Sequence, residues 1–380
     1  MRVAHIIKVT RISGAERHLL ILLDGLRAAG VDARLIMLTE PGKPMQEMAA
    51  AAQERAIPWT RLTIRGDYDA PLLWSLRREL RAIAPDIAHT HLIHADMYGY
   101  TAAKLARVSK VISSRHNDDQ FRYRPRWRRL NRQLWKRLDA GIAISAAVAG
   151  FAEAVEGAPR DKLHIVPYGM EYRWLSDEAI ERARHRLRAE LGLPPDTPLL
   201  GMVCRLVQQK GLPYSLEALR RIQSDFPAAR LVIIGDGEQA GELRQLAAAL
   251  GVEERVYWLG WRDDAAELMT ALDVLLVPSL WEGFGLVVLE AMARRVPVIA
   301  SRVSALPEVL VHGETGLLIE PRDVDGLAQA IARLLSDRAL RKYMGLLGTA
   351  RLEEHFSVGR MVKATITVYQ SVLARPSLPR

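Results

Sequence analysis

Two glutamates, Glu282 and Glu290, bracket the most suggestive stretch of the chain, "LWEGFGLVVLE", where an apolar run gives way to a helical pattern. A helix start offers backbone N–H groups and attracts anions. Carboxylates there make sense if each holds a hydroxyl while other groups take a phosphate, because an ionised carboxylate only accepts. Gly283 and Gly285 remove side chains where the backbone would meet a ligand. Glu290 falls about one and a half turns into the helix, at about 3.6 residues per turn, so the two carboxylates share neighbouring ground and suit vicinal hydroxyls of a ribose and a sugar. The plainer reading has Glu282 capping the helix and Glu290 satisfying a backbone group.

Further candidates fall just after other apolar runs. "MVCRLVQQKG" supplies Arg205 and Lys210, a fork and a point charge that suit a pyrophosphate, or else surface cations on a solvated loop. "VTRISGAERHLL" sets Gly14 between a strand and a helix, with Ser13 as a cap and Glu16 in the first turn. A bare glycine there admits a phosphate or simply makes a turn. "VISSRHNDD" places His116 at a strand's end, a candidate donor or base as well as a structural histidine. Gly235-x-Gly237-x-x-Ala240 loosely matches a dinucleotide fingerprint. Asp236 would oppose a pyrophosphate there, and the segment reads as a tight strand–helix turn. No Cys/His cluster, HExxH or Asp-rich loop appears, so no metal and no cofactor is expected.

The elements that must carry these residues alternate. Strand candidates are "VAHIIKV", "ARLIMLT", "DIAHTH", "KVISS", "AGIAIS" and "KLHIVP", then "LLGMVCRL", "ARLVIIG", "VYWLG", "VLLVPS", "VPVIAS" and "TGLLIE". Helix-period segments between them, such as 15–29, 71–84, 126–138, 213–224, 238–250, 285–294 and 324–335, give an α/β chain with two doubly wound parallel sheets. The expected division is an N-terminal domain over 1–170, a connection over 171–197, a second domain over 198–355 and a C-terminal helical segment over 356–380. In such sheets ligands sit beyond the carboxyl ends of the strands, and two of them imply a cleft.

The 380 residues, 49% hydrophobic and 26% charged, are ordinary for a soluble protein and ample for two cores. One cysteine, Cys204, excludes an intramolecular disulfide and favours a reducing, cytoplasmic setting. The start, "MRVAHIIKVTR", is too broken by charge for a signal segment, and "AGIAISAAVAGFA" is short for a membrane span. A net charge of +9 favours anionic partners.

Taken together these motifs resemble the retaining glycosyltransferases of family 4, two-domain GT-B enzymes that use nucleotide-sugar donors. Glu282-Gly-Phe-Gly-x4-Glu290 matches the family's paired-glutamate motif, joined in order by Arg205…Lys210-Gly211, "GDGE" and "LPEVLVHGETGLLIEP". "AISAAV" and "VPYGM" are similar to landmarks of the first half. The resemblance implies that Arg205 and Lys210 bind the donor diphosphate and that Glu290 holds the ribose. It implies that Glu282 and the backbone of Gly283, Phe284, Gly285 and Leu286 hold the sugar, with His116 near that sugar and Gly14 near the phosphate. Two positions depart from the family: Ser13-Gly14 stands for Gly-Gly, and Tyr168 for an Asn.

The implied reaction is metal-independent transfer of a sugar from a nucleotide diphosphate to a hydroxyl of a glycan or lipid-linked acceptor, in cell-envelope or exopolysaccharide synthesis. Alternatives are a nucleotide-sugar epimerase on a related two-domain fold and a non-catalytic sugar-nucleotide-binding protein; a glycosidase has no use for the cations. The stretch Phe121–Arg137 holds eight basic residues and no acidic one. It reads either as an ordinary helix burying Trp127, Leu130, Leu134 and Leu138, or as a face, Arg122 to Arg137, that docks peripherally on the anionic inner surface of the cell membrane. Base-reading motifs are absent, so nucleic acid is not an expected partner.

Overall fold

The computed structural model describes residues 1–66, 68–118 and 120–375. It forms two compact units, Met1–Glu171 joined by the segment from Phe356 onward, and Tyr172–His355. In the first, the strands are β1 (Arg2–Lys8), β2 (Asp32–Thr39), β3 (Trp59–Thr63), β4 (Ile87–His91), β5 (Lys110–Arg115), β6 (Ala140–Ala143) and β7 (Leu163–Ile165), in the order β3-β2-β1-β4-β5-β6-β7. In the second they are β8 (Leu199–Val203), β9 (Arg230–Ile234), β10 (Val256–Gly260), β11 (Val274–Val277), β12 (Val298–Ser301) and β13 (Gly316–Ile319), in the order β10-β9-β8-β11-β12-β13. Every pairing is parallel, and helices fill both faces, the doubly wound arrangement expected. Both sheets reverse their strand order once, at β1/β4 and at β8/β11, and each reversal opens a crevice at the strands' carboxyl ends.

Strand β3 has no counterpart in the sequence reading. It is a five-residue edge strand, "WTRLT", whose side chains are exposed or half-buried, so it lacks the apolar run that marks the central strands. The pleat sorts β1 cleanly. Val3 and Ile7 face one core with Leu19, Leu23 and Leu26 of the helix Gly14–Ala28 and with Val362 and Tyr369 of the last helix, Val358–Ala374. Ala4 and Ile6 face the opposite core with Leu76, Leu80 and Ala102. The last helix therefore belongs to the first unit. The stretch 171–197 carries the helix Asp177–Glu190, whose Arg188 donates to buried Asp273 at 2.7 Å within the second unit.

The basic helix Pro125–Arg137 corrects its sequence reading. Its inward residues are Asn131 and Trp135, followed by Leu138, whereas Leu130 is 40% exposed and Trp127 and Leu134 are half-buried. Arg122 is not part of the outward basic face. It turns inward and its Nη1 donates to Glu156 at 2.5 Å. Glu156 also accepts from Arg115 Nε at 2.7 Å and from Trp135 Nε1 at 2.8 Å, while Arg115 Nη1 donates to Asp96 at 2.7 Å. Arg115, Asp96 and Glu156 are essentially unexposed.

Burial pushes the Glu156 carboxyl up, but Arg115 and Arg122 outweigh it and hold the group below its usual range. A depressed carboxyl contributes stability that is complete above its unfolded pKa and is lost as pH falls through the folded one. Glu156→Ala takes a carboxylate from buried Arg122 and one of two carboxylates from buried Arg115, and is expected to cost about 3–5 kcal/mol in denaturant unfolding at pH 7. The deficit relative to wild type should shrink as the pH is lowered through the acid range; a deficit that grows on acidification would contradict this account.

Candidate functional site

In the second unit the candidates gather where the strand order reverses. Strand β8 ends at Val203, and the loop beyond it carries Cys204, exposed Arg205 and a single 3-10 turn, Gln208–Lys210. Gly211 closes that turn at φ +65, and a Cβ there would collide with the Pro278 carbonyl beyond β11, so the two loops are locked together. Gln209 fixes the same junction twice, its carbonyl accepting from Leu280 N at 2.8 Å and its Nε2 donating to the Trp281 carbonyl at 2.9 Å. Lys210 is thereby delivered to Glu282, with Nζ 2.5 Å from Oε2 and both side chains largely buried.

Ser279 Oγ donates to the same Oε2 at 3.3 Å, and Glu282 N donates to Ser304 Oγ at 3.2 Å. Both side-chain bonds fall on one oxygen, so Oε1 takes no protein donor among the described residues. An ammonium has three donors, so Lys210 can keep Glu282 and still meet a phosphate. Gly283, Phe284 and Gly285 are buried. Gly285 sits at φ +88 as the cap of the helix Leu286–Met292, which carries half-buried Glu290. Burial pushes the Cys204 thiol up to about 12, with Lys210, Glu282 and Arg205 all near enough to act on it. The structure thus brings Lys210 and Glu282 together, with Arg205 on the loop that carries Lys210 and Glu290 on the helix that follows.

The neighbouring "GDGE" loop explains its own glycines. A Cβ on Gly235 would collide with the Cys204 carbonyl, and one on Gly237 with the Leu206 backbone. They permit close packing of two loops, which is the tight-turn reading rather than a dinucleotide site.

In the first unit Gly14 opens the 15-residue helix after β1. Ser13 N and Oγ both donate to Glu16, at 3.0 and 2.6 Å, which pins the loop beside the helix start. His18 of this helix lies with its ring 5.7 Å from that of His116 and stacked 4.0 Å from Tyr168. His116, just beyond β5, is 8% exposed, and both of its ring nitrogens are engaged: Nε2 with His91 Nδ1 at 3.0 Å, and Nδ1 with the Tyr168 hydroxyl at 2.7 Å. Burial first, then Arg115 and Arg122, push His116 down to about 3. With both nitrogens engaged inside the protein the ring is held fixed, and this geometry speaks for positioning rather than for proton abstraction.

Sequence reasoning missed Gln209, Ser279 and Ser304, which hold the Lys210–Glu282 pair, because nothing in a loop's composition says which side chain turns back. It also missed His5, His89 and His91. Their signal was present: alternation in "AHTH" sets both β4 histidines on one face of the sheet. Ligand atoms of His5, His89 and His91 lie within 4.8 Å of one another, the group among the described residues able to hold a metal.

Two family models match the chain, "Glycosyltransferase Family 4" over residues 12–173 and "Glycosyl transferases group 1" over residues 183–349. The D-inositol 3-phosphate glycosyltransferase of Corynebacterium glutamicum (strain R) is 30% identical over 296 residues, 73% of this chain and 70% of that relative. The UDP-Gal:alpha-D-GlcNAc-diphosphoundecaprenol alpha-1,3-galactosyltransferase of Escherichia coli is 28% identical over 351 residues, 90% of this chain and 89% of that relative. Three other curated relatives are matched over 59%, 50% and 49% of their own length, so the chain spans about half the length of these. The crystal structure of Anabaena Alr3699/HepE in complex with UDP and glucose has a TM-score of 0.84 at 23% identity, over 98% of this chain and 100% of that one, a likeness of fold. One family model falls on each sheet, in chain order, and with the relatives' coverage this settles that the chain belongs to the family 4 glycosyltransferases and has the GT-B fold.

Proposed function

We propose that the chain is a retaining, metal-independent glycosyltransferase that moves a sugar from a nucleotide-diphosphate sugar to a hydroxyl of a glycan or lipid-linked acceptor in cell-envelope synthesis. The observation that carries this reading is the Lys210–Glu282 pair at the β8/β11 reversal, with Arg205 on the same loop as Lys210 and Glu290 on the helix after Glu282. Charge develops on the leaving diphosphate, and preorganised cations are the groups that stabilise it. Arg205 and Lys210 supply that charge, so no divalent ion or other cofactor is needed. Glu282 Oε1 accepts from a sugar hydroxyl, Glu290 accepts from the ribose, and the backbone of Gly283, Phe284, Gly285 and Leu286 lines the sugar. From the first unit we assign, on the family resemblance alone, Gly14 to the phosphate and the neutral, fixed ring of His116 to the sugar. Retention follows when the acceptor hydroxyl attacks the face that the diphosphate leaves.

The acceptor reading draws on two supports. The Escherichia coli relative is named for a diphosphoundecaprenol-linked acceptor, and a Mycobacterium tuberculosis relative for a phosphatidylinositol mannoside. On the protein itself, Arg124, Arg126, Arg128, Arg129, Arg132, Lys136 and Arg137 are all exposed along one helix and its approach, beside exposed Tyr123 and Leu130. This face docks on anionic lipid at the inner surface of the cell membrane. No helix among the described residues is long and apolar enough to cross a membrane.

Calorimetry without added metal, run against UDP, GDP, ADP and their sugar conjugates, should find one tight nucleotide. Its affinity should survive EDTA and drop at least about tenfold in Glu290→Ala, the loss of one charge-assisted hydrogen bond or more. A folded protein that binds none of them would sink the reading. Lys210→Ala should lower kcat by about 10²–10³ with an unchanged circular dichroism spectrum, as for loss of one preorganised charge-stabilising group; a loss confined to KM would instead make Lys210 a ground-state contact. Vesicles of phosphatidylglycerol should retain the protein at physiological salt, and Arg128→Glu/Arg129→Glu/Arg132→Glu should release it, at about 1 kcal/mol for each basic residue near the surface. Absence of binding at low salt would remove the docking face from the account.

A further inference from the structure

Parallel register and the two-residue pleat place four polar side chains of the first sheet on one face. His5 on β1 pairs in register with His89 on β4, and His91 pairs with Ser114 on β5. The last helix covers this face and contributes Tyr369. His5, His89, His91 and Tyr369 are 0% exposed and Ser114 is 3% exposed.

Their polar atoms form one unbranched chain. Ser114 Oγ lies 2.8 Å from His89 Nε2, and His89 Nδ1 lies 2.7 Å from the Tyr369 hydroxyl. Tyr369 is 3.3 Å from His5 Nε2, and His5 Nδ1 is 3.0 Å from His91 Nε2. His91 Nδ1 then meets His116 Nε2, and His116 Nδ1 meets Tyr168. Burial pushes all four imidazoles below their usual range, so each carries one hydrogen and offers one lone pair. With one hydrogen per group, every interior hydrogen is used only if all the bonds point the same way.

The Ser114 end sets the sense. Among the described residues its hydroxyl meets no acceptor other than His89. If Ser114 accepted, its own hydrogen would be buried with nowhere to go. Donation from Ser114 makes His89 donate from Nδ1 to Tyr369, Tyr369 to His5 Nε2, His5 from Nδ1 to His91 Nε2, and His91 from Nδ1 to His116 Nε2. His116 is left donating from Nδ1 to Tyr168. The same trio is spaced for hydrogen bonds rather than for a metal. Two nitrogens bound to one zinc at about 2.0–2.1 Å in tetrahedral geometry stand roughly 3.4 Å apart, whereas His5 and His91 meet at 3.0 Å.

We propose that Ser114, His89, Tyr369, His5 and His91 are positioning residues that hold His116 as its Nδ1–H tautomer, with the C-terminal helix supplying the Tyr369 link. This rests on the proposed function only in giving His116 a sugar to border. A ring whose nitrogens are both committed inside the protein meets a ligand with its edge and its backbone, in one fixed orientation.

The test is long-range proton–nitrogen correlation NMR on the full chain labelled with ¹⁵N-histidine, His116 being assigned by comparison with His116→Gln. Wild type should show His116 protonated at Nδ1 alone. Tyr369→Phe removes the central hydroxyl and little volume, and should leave His116 averaging between tautomers, with kcat down about tenfold and donor KM within about twofold. Ser114→Ala, at the far end, should produce the same averaging and serves if Tyr369→Phe fails to fold. An Nε2–H His116 in wild type, or a pure Nδ1–H ring in both variants, overturns the proposal. One equivalent of zinc retained through dialysis against a chelator also overturns it, making His5, His89 and His91 ligands. A wild-type chain that binds no nucleotide sugar defeats the proposed function alone, since the tautomer is read without substrate.

Discussion

A sheet whose strands all run one way delivers every strand end to the same edge, and the rest of this molecule follows from that constraint. Where the strand order reverses, the loops leave in opposite directions and the edge stays open. The chain then needs only to put Lys210 seven positions beyond β8 and Glu282 five positions beyond β11 for the two to meet, with Arg205 on the same loop as Lys210. The glycines that accompany them have an equally mechanical reason. Gly211 and Gly235 let one loop lie directly on another's carbonyl, which keeps a cation and a carboxylate from drifting apart.

The first unit handles buried polarity in two contrasting ways. Beneath the basic helix, Arg115, Arg122, Asp96 and Glu156 form a buried ion-pair cluster in which each guanidinium meets a carboxylate in good geometry. A few ångströms along the chain, the histidines solve the same desolvation problem by staying neutral and bonding to one another. Arg115 touches both solutions: its charge anchors the carboxylates and helps to keep adjacent His116 unprotonated. In the second unit Asp273 follows the first pattern, gathering Arg188, Arg184 and the Leu199 N–H into one buried junction.

How much of this was legible follows from what a side chain's role depends on. The central strands were readable because burial on both faces demands continuous apolar runs, and Lys210 and Glu282 stood out because a cation and a carboxylate just beyond such runs suit a ligand as well as a solvated loop. Strand β3 was not, since an edge strand is free to be half polar. Arg122 was counted with its outward neighbours because charge alone does not reveal that Glu156, 34 residues away, waits beneath it. The histidine chain needed the parallel register of three strands and a helix more than 250 residues beyond His91, so the local alternation of "AHTH" could disclose only the shared face of His89 and His91.

The return of the last helix to the first unit carries a consequence for how the protein is made. The core face of Leu19, Leu23 and Leu26 is sealed by Val362, Val368 and Tyr369, residues synthesised only after the whole of Tyr172–His355. At about 5–20 residues per second, a nascent chain carries that uncovered face for roughly 10–40 s while the second unit emerges. The first unit is thus begun first and finished last, and its exposed seam, rather than the second unit, is where a ribosome-bound chaperone has time to act.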